Sequence, residues 1–298
     1  MSDLFRSPHL RLFAGAVLIS FSPVFVNLVS VSPTTSGFYR VLFGGVALGL
    51  FLVVTGRRLS FSRRVWIAVA GSAVFFALDL WFWHRSILYI GPGLSTLIAN
   101  LQVFFMMAAG FLFLGQRPGL KQILAVPLAI VGLTMIVGPD WEALTPGYRI
   151  GVVFGLLTAM SYAGYMLCMR AARLDARHPV PVREIAIMSL VVAALLGASA
   201  VAEGESLVIP TAADATWLLA YGLLSHAVGL MFIASSLAKV TTTETGIALL
   251  LQPSLSFLWD ILFFGRPLSA AEAAGAALTL FAIWLGSRQR LQQADRAG

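Results

Sequence analysis

Hydrophobic positions in this chain fall in long unbroken runs, without the strict alternation of a strand and without a polar face on every third or fourth residue. Runs of roughly 20 apolar residues, the length a helix needs to cross about 30 Å of hydrocarbon, lie at 12–31, 35–55, 65–87, 92–114, 121–138, 150–170, 183–202, 215–236, 245–264 and 270–287. The pattern predicts ten membrane-spanning helices. Continuous runs do not fit the alternating strands of a transmembrane barrel. Short stretches rich in turn residues separate them, such as "IGPG" from Ile90 and "GQRPGLK" from Gly115. Even the longest link, "RAARLDARHPVPVRE" from Arg170, is too short to be a soluble domain. The first run leads directly into a second and reads as a retained helix, not a leader peptide.

The order of the runs repeats. Sliding the chain by about 150 residues lays "SILYIGPGLSTLIANLQVFFMMAAGFLFLGQRP" over "SLAKVTTTETGIALLLQPSLSFLWDILFFGRP". Ser86 then meets Ser236, Gln102 meets Gln252, Phe113 meets Phe263 and Gly115 meets Gly265, and Pro118 meets Pro267 after one deletion. The expected division is two five-span halves, 1–145 and 146–298. An odd number of spans per half turns the second copy upside down, the arrangement that alternating-access carriers use around a site near the bilayer midplane.

Composition agrees with the pattern: 59% of residues are hydrophobic, 11% are charged and the mean hydropathy is +0.88. The net charge of +7 is spread between the runs, which fits membrane topology better than nucleic-acid binding. With a cytoplasmic N-terminus, Arg57, Arg58, Arg63, Arg64, Arg117, Lys121, Arg170, Arg183, Arg288 and Arg290 fall inside. Arg85, Arg149 and Arg266 fall outside, with Glu203, Glu205 and Asp214. Both termini are then cytoplasmic, in a multi-pass protein of the inner (plasma) membrane. Cys168 is the single cysteine, so no disulfide forms within the chain. The four histidines show no metal-ligand spacing, and no phosphate loop or activated nucleophile is present. These absences argue against an enzyme and against a cofactor or metal.

Ten spans in two halves, with "LFLGQRP" closing the fourth run and "LLLQPSLSFLWDILFFGRP" in the ninth, resemble the EamA branch of the drug/metabolite transporter superfamily over almost the whole chain. Trp- and Tyr-rich spans add a fainter similarity to YddG-type exporters of aromatic amino acids. The resemblance implies an inner-membrane exporter of small metabolites. Gly115-Gln116 and Gly265-Arg266 stand where family members commonly carry Gly-Glu, so no role of that glutamate carries over.

Candidate site residues follow from polar groups inside the runs. Asp79 shares a helical face with Trp83 and Ser86, and Arg40 lies at a similar depth in the second run. Two readings of Asp79 stand side by side: a structural ion pair with Arg40, or a group that binds protons or a substrate amine. His84 and Arg85 are expected to snorkel to the headgroups. His226, between Gly222 and Gly229, reads as a packing histidine or a proton-coupled one. Gln102 and Gln252 are equivalent in the repeat and should converge on its axis; Thr245, Ser256 and Trp259 share the face of Gln252. In the sixth run Thr158, Ser161, Tyr162, Tyr165, Met166 and Met169 form a stripe, and Ser20, Pro23 and Asn27 form one in the first. Pro23, Pro127 and Pro253 are candidate kinks.

Amides, hydroxyls and aromatic rings together suit a small amphiphile. The expected substrate class is amino acids, aromatic and other apolar ones above all, carried by a monomer or homodimer whose other partner is membrane lipid. A sugar or nucleotide-sugar carrier and a multidrug carrier are alternatives of the same architecture. An intramembrane enzyme or a passive channel is an alternative of a different class.

Overall fold

The computed structural model describes residues 7–56, 61–115, 117–138, 144–173, 181–236 and 242–295, without the side chains of 114, 173, 242–247 and 287–295. Arg57, Arg58 and the side chains of Thr245, Arg288 and Arg290 lie outside the described set. The elements are α1 (Pro8–Ser20), α2 (Ser22–Leu28), α3 (Pro33–Val54), α4 (Arg63–Ile90), α5 (Pro92–Ala99), α6 (Gln102–Leu114) and α7 (Leu120–Val137), then α8 (Pro146–Arg173), α9 (Val182–Ala202) and α10 (Ala212–Ala220). A π-helical segment, Tyr221–Gly229, leads into α11 (Leu230–Ser236), and α12 (Thr242–Phe264) and α13 (Ala270–Asp295) complete the chain. Among the described residues, eight stretches are long and apolar enough to cross a membrane, among them Pro8–Leu28, Pro92–Phe113 and Ala212–Ser236, each built from consecutive helices. Ala248–Phe264 and Ala270–Gly286 are two shorter apolar helices.

Local chemistry sets the helix ends. Ser32 and Ser62 accept the backbone N–H of Thr35 and Val65, each at 3.3 Å, so both helices start where a hydroxyl satisfies an otherwise orphaned donor. Gly115 and Gly265, which the repeat superimposes, both end a helix at a φ of +62°, a left-handed conformation that costs a Cβ-bearing residue dearly.

Packing follows the order of spans. α3 packs against α9, α5 against α12 and α7 against α13, so the second, fourth and fifth spans each lie on the span five places later. α4 packs along α8, and α1 along the π-helical segment and α11. Apolar residues fill two main clusters. One holds Phe76, Leu80, Tyr165, Met188 and Leu196, the other Leu94, Leu97, Ile98, Phe257 and Ile283. Large apolar side chains also cover the outside, Val54 at 85% exposure and Phe113 at 81%, while Asp79, His84 and His226 are buried. Apolar outside and polar inside is the distribution a lipid solvent selects.

One end of the bundle is tied by polar contacts. Glu203, just past α9, accepts from Trp81 Nε1 at 2.7 Å, Ser199 Oγ at 2.7 Å and Thr34 Oγ1 at 3.1 Å, and pairs with Arg85. Ser32 donates to Glu205, Thr35 to the Ser206 carbonyl and Tyr39 to the Leu207 carbonyl. Nearby, Ser30 donates to Asp214 at 2.8 Å through its N–H, and Arg266 lies 3.5 Å from Asp260 and 3.2 Å from Glu272.

Candidate functional site

A cavity of about 110 Å³ lies where six spans meet. Ile19, Ser22 and Pro23 line it from the first span, Arg40 from α3 and Phe76, Asp79 and Trp83 from α4. Thr96, Ala99, Asn100 and Gln102 come from the fourth span, Thr158 and Tyr162 from α8, and Gln252 and Ser256 from α12.

Two of these spans are interrupted beside the cavity, and the sequence shows why. Pro23 has no N–H for the carbonyl four residues back, and the first span breaks at Phe21. α12 of the other half holds the break: Ser256 Oγ donates to the Ser20 carbonyl at 3.0 Å, Trp259 Nε1 donates to Ser20 Oγ at 3.0 Å, and the Trp259 ring stacks on Phe21 with centroids 4.7 Å apart. In the fourth span no proline is involved. Asn100 Nδ2 donates back to the Thr96 carbonyl at 2.8 Å, and the N–H groups of Leu101 and Phe104 bond three residues back instead of four. A side chain competing for a helical carbonyl tightens the turn, so α5 ends and α6 begins on a new heading. Pro127 and Pro253, by contrast, lie inside continuous helices.

The cavity holds polar groups that the protein leaves unengaged. Among the described residues, the Asp79 carboxylate and the side-chain amides of Gln102 and Gln252 have no hydrogen-bond partner. Arg40 donates through Nη1 to Tyr221 Oη at 3.0 Å, with its guanidinium 5.0 Å from the Tyr221 ring centre and 5.6 Å from that of Trp83. Its buried Nε is unpartnered. Tyr221 in turn lies 3.3 Å from His84 Nε2, and His84 Nδ1 donates to the Leu80 carbonyl at 2.7 Å.

Several expectations need correction. The direct Arg40–Asp79 ion pair is not formed within 4.0 Å, because Tyr221 and Trp83 hold the guanidinium; both residues nevertheless line the cavity. His84 does not snorkel: it is fully buried, facing Tyr221. Arg85 stacks on Trp81 and pairs with Glu203. Asn27 is exposed at the end of α2, away from the cavity lining. Ser161 is buried but does not line the cavity, Tyr165 packs on Phe76 at 4.8 Å, and Trp259 is turned onto the α1–α2 break. His226 lies in the π-helical segment, with Nε2 2.7 Å from Ser189 Oγ; since Ser189 donates to the Ile185 carbonyl, the ring N–H donates and ties this span to α9. Asp79, Trp83, Gln102, Tyr162, Gln252, Ser256 and Arg40 do meet in the cavity. Thr96 and Asn100 join them unforeseen, and the polar pair four residues apart just before Gln102 was the available signal.

At the tied end, burial works to raise the pKa of Glu203, but the hydrogen bonds from Trp81 and Ser199, the Arg85 guanidinium and Thr34 outweigh it and hold the carboxyl at about 2.

Known proteins bear on this arrangement. A solved crystal structure superimposes with a TM-score of 0.66 over 97% of this chain and 99% of the other, at 16% identity, a likeness of fold. A protein described as an uncharacterized transporter from Archaeoglobus fulgidus is 24% identical over 92% of this chain and 94% of its own. The pseudopaline exporter of Pseudomonas aeruginosa is 26% identical over 92% of this chain and 95% of its own. The EamA-like transporter family matches residues 7–138 and again 149–288. The chain therefore belongs to the EamA-like transporter family: it is a multi-pass membrane transporter and not an enzyme.

Proposed function

We propose that this transporter exports small metabolites, amino acids with aromatic or other apolar side chains foremost, from the cytoplasm across the inner membrane. The observation that carries the reading is the composition of the cavity: unengaged amides at Gln102 and Gln252 face a space walled by Phe76, Trp83 and Tyr162. Polar groups that desolvate only when a ligand replaces water suit a small amphiphile, and aromatic walls accept varied apolar side chains. The outward direction draws support from the relative named as an exporter.

Transport proceeds by alternating access between two inverted halves, 1–145 and 146–298. The span-on-span pairing and the twofold family match support that division. In this reading the tied end is the external face. Its ties across the two halves, Glu203 with Arg85 and Ser30 with Asp214, are part-exposed contacts. Such contacts exchange for water at small net cost, so the halves can rock apart there once the cavity is loaded.

The test is counterflow. Purified protein in liposomes loaded with unlabelled amino acid should take up labelled tryptophan, methionine and threonine saturably and in mutual competition. Uptake of a sugar or nucleotide sugar in place of amino acids would keep the architecture and overturn the substrate class.

A further inference from the structure

A buried cation and a buried anion in one cavity normally close on each other, because each alone carries a large desolvation penalty. Here they are held apart. Asp79 is 5% exposed and Arg40 8%, yet no ion pair forms between them within 4.0 Å. The cause is visible: Nη1 of Arg40 is fixed on Tyr221, and the guanidinium stands over the rings of Tyr221 and Trp83. Trp83 lies one helical turn beyond Asp79 on the same face of α4, so the ring under the guanidinium is offset along the helix from the carboxylate. Tyr221 takes Nη1, while Nε on the other edge of the guanidinium is buried without a partner. That edge is the side-on fork that matches the two oxygens of a carboxylate.

We propose that Arg40 and Asp79 form a two-point clamp for a zwitterion, with the substrate carboxylate on the Nε/Nη2 edge of Arg40 and its ammonium on Asp79. The proposal rests on the amino-acid reading above and narrows it. A free α-amino acid carries both charges on adjacent carbons and bridges the gap, neutralising two buried charges that otherwise stay uncompensated at close range. A molecule with only one of the charges leaves the other protein group unpaired, the costlier outcome for a buried site. The amides of Gln102 and Gln252 and the aromatic wall then face the side chain, which explains tolerance for its identity alongside strictness for its backbone.

The experiment is competition against labelled phenylalanine in counterflow liposomes, with four probes: unlabelled phenylalanine, N-acetylphenylalanine, phenylalanine methyl ester and 3-phenylpropionate. With the wild-type protein each of the last three should inhibit at least about tenfold less well than phenylalanine. Asp79→Asn should shrink the penalty on the N-acetyl compound to within about threefold while the ester penalty persists, and Arg40→Gln should do the reverse. The wild-type series needs no variant, so misfolding of either mutant does not blunt the test. Exchange of phenylalanine with equal inhibition by all four probes would overturn the clamp and leave the amino-acid reading standing. Variants that lose rate but keep both ratios would also overturn it. No exchange of phenylalanine or any other free amino acid would overturn both.

Discussion

The cavity walls drawn from residues 19–102 carry Arg40, Asp79, Thr96, Asn100 and Gln102, whereas those drawn from residues 158–256 carry Thr158, Tyr162, Gln252 and Ser256. Among the described residues, every charged group lining the cavity comes from residues 19–102, and residues 158–256 supply neutral hydroxyls and one amide. Backbones differ in the same way. The first and fourth spans break beside the cavity, but their counterparts α8 and α12 run continuously, even through Pro253. The second half instead departs from α-helix in its third span, at Tyr221–Gly229, where the first half has the regular 28-residue α4. What the two family-matched segments share is the frame: the helix-ending glycines at Gly115 and Gly265, and the packing of α3 on α9, α5 on α12 and α7 on α13. Helix ends and interhelix packing are thus common to the two family-matched segments, and the cavity chemistry is not.

The sharpest way to break this comparison is at the contact between the regular helix α3 and the π-helical segment. A Cβ at Gly44 would meet His226 Cδ2 at 2.5 Å and the Gly222 carbonyl at 2.9 Å. Gly44→Val should force α3 off that segment, an overpacking of about 1–3 kcal/mol that lowers the melting temperature in detergent by about 3–10 °C. An unchanged melting temperature would mean that the π-helical segment yields, and that its irregular winding is not fixed by the first half.

A smaller effect is expected where the continuous α12 holds the broken first span. Ser256→Ala and Trp259→Phe each remove one donor to Ser20, worth about 0.5–1.5 kcal/mol. Each should slow counterflow about two- to tenfold, and the double mutant should lose less than the two single losses combined, since both bonds act on one joint. Strictly additive losses would separate the two bonds.

Smallest of all is the pH response of the tied end. The Glu203 carboxyl sits at about 2, below its ordinary 4.5. A depressed pKa gives a stabilisation that is present above the ordinary value and is lost progressively as pH falls from there through about 2. The melting difference between wild type and Glu203→Gln should stay constant from pH 8 to pH 5. A difference that shrinks toward pH 5 would show that Trp81, Ser199, Thr34 and Arg85 do not hold the carboxylate as the contacts imply.

Much of the cavity could be read beforehand wherever the helix was regular. Asp79 and Trp83 share a face at i and i+4, and the repeat paired Gln102 with Gln252 before any contact was known. Errors collect where regularity fails or where a neighbour decides. Asn27 shares the face of Ser20 only if one helix runs through both, but the break at Phe21 intervenes and Asn27 is exposed. His84 was assigned to the headgroups by its depth, yet Tyr221, 137 residues away, gives it a buried partner.

The apolar runs, the family resemblance and the ends of the helices are local or repeated properties: about twenty apolar residues suffice to span a bilayer, and a capping serine or a left-handed glycine ends a helix whatever surrounds it. Those the chain determines by itself. Which polar groups stay unengaged is decided between elements: Tyr221 and Trp83 keep Arg40 from Asp79, and α12 fastens the broken first span. Such choices depend on distances between residues far apart in the chain, which only the packed bundle fixes.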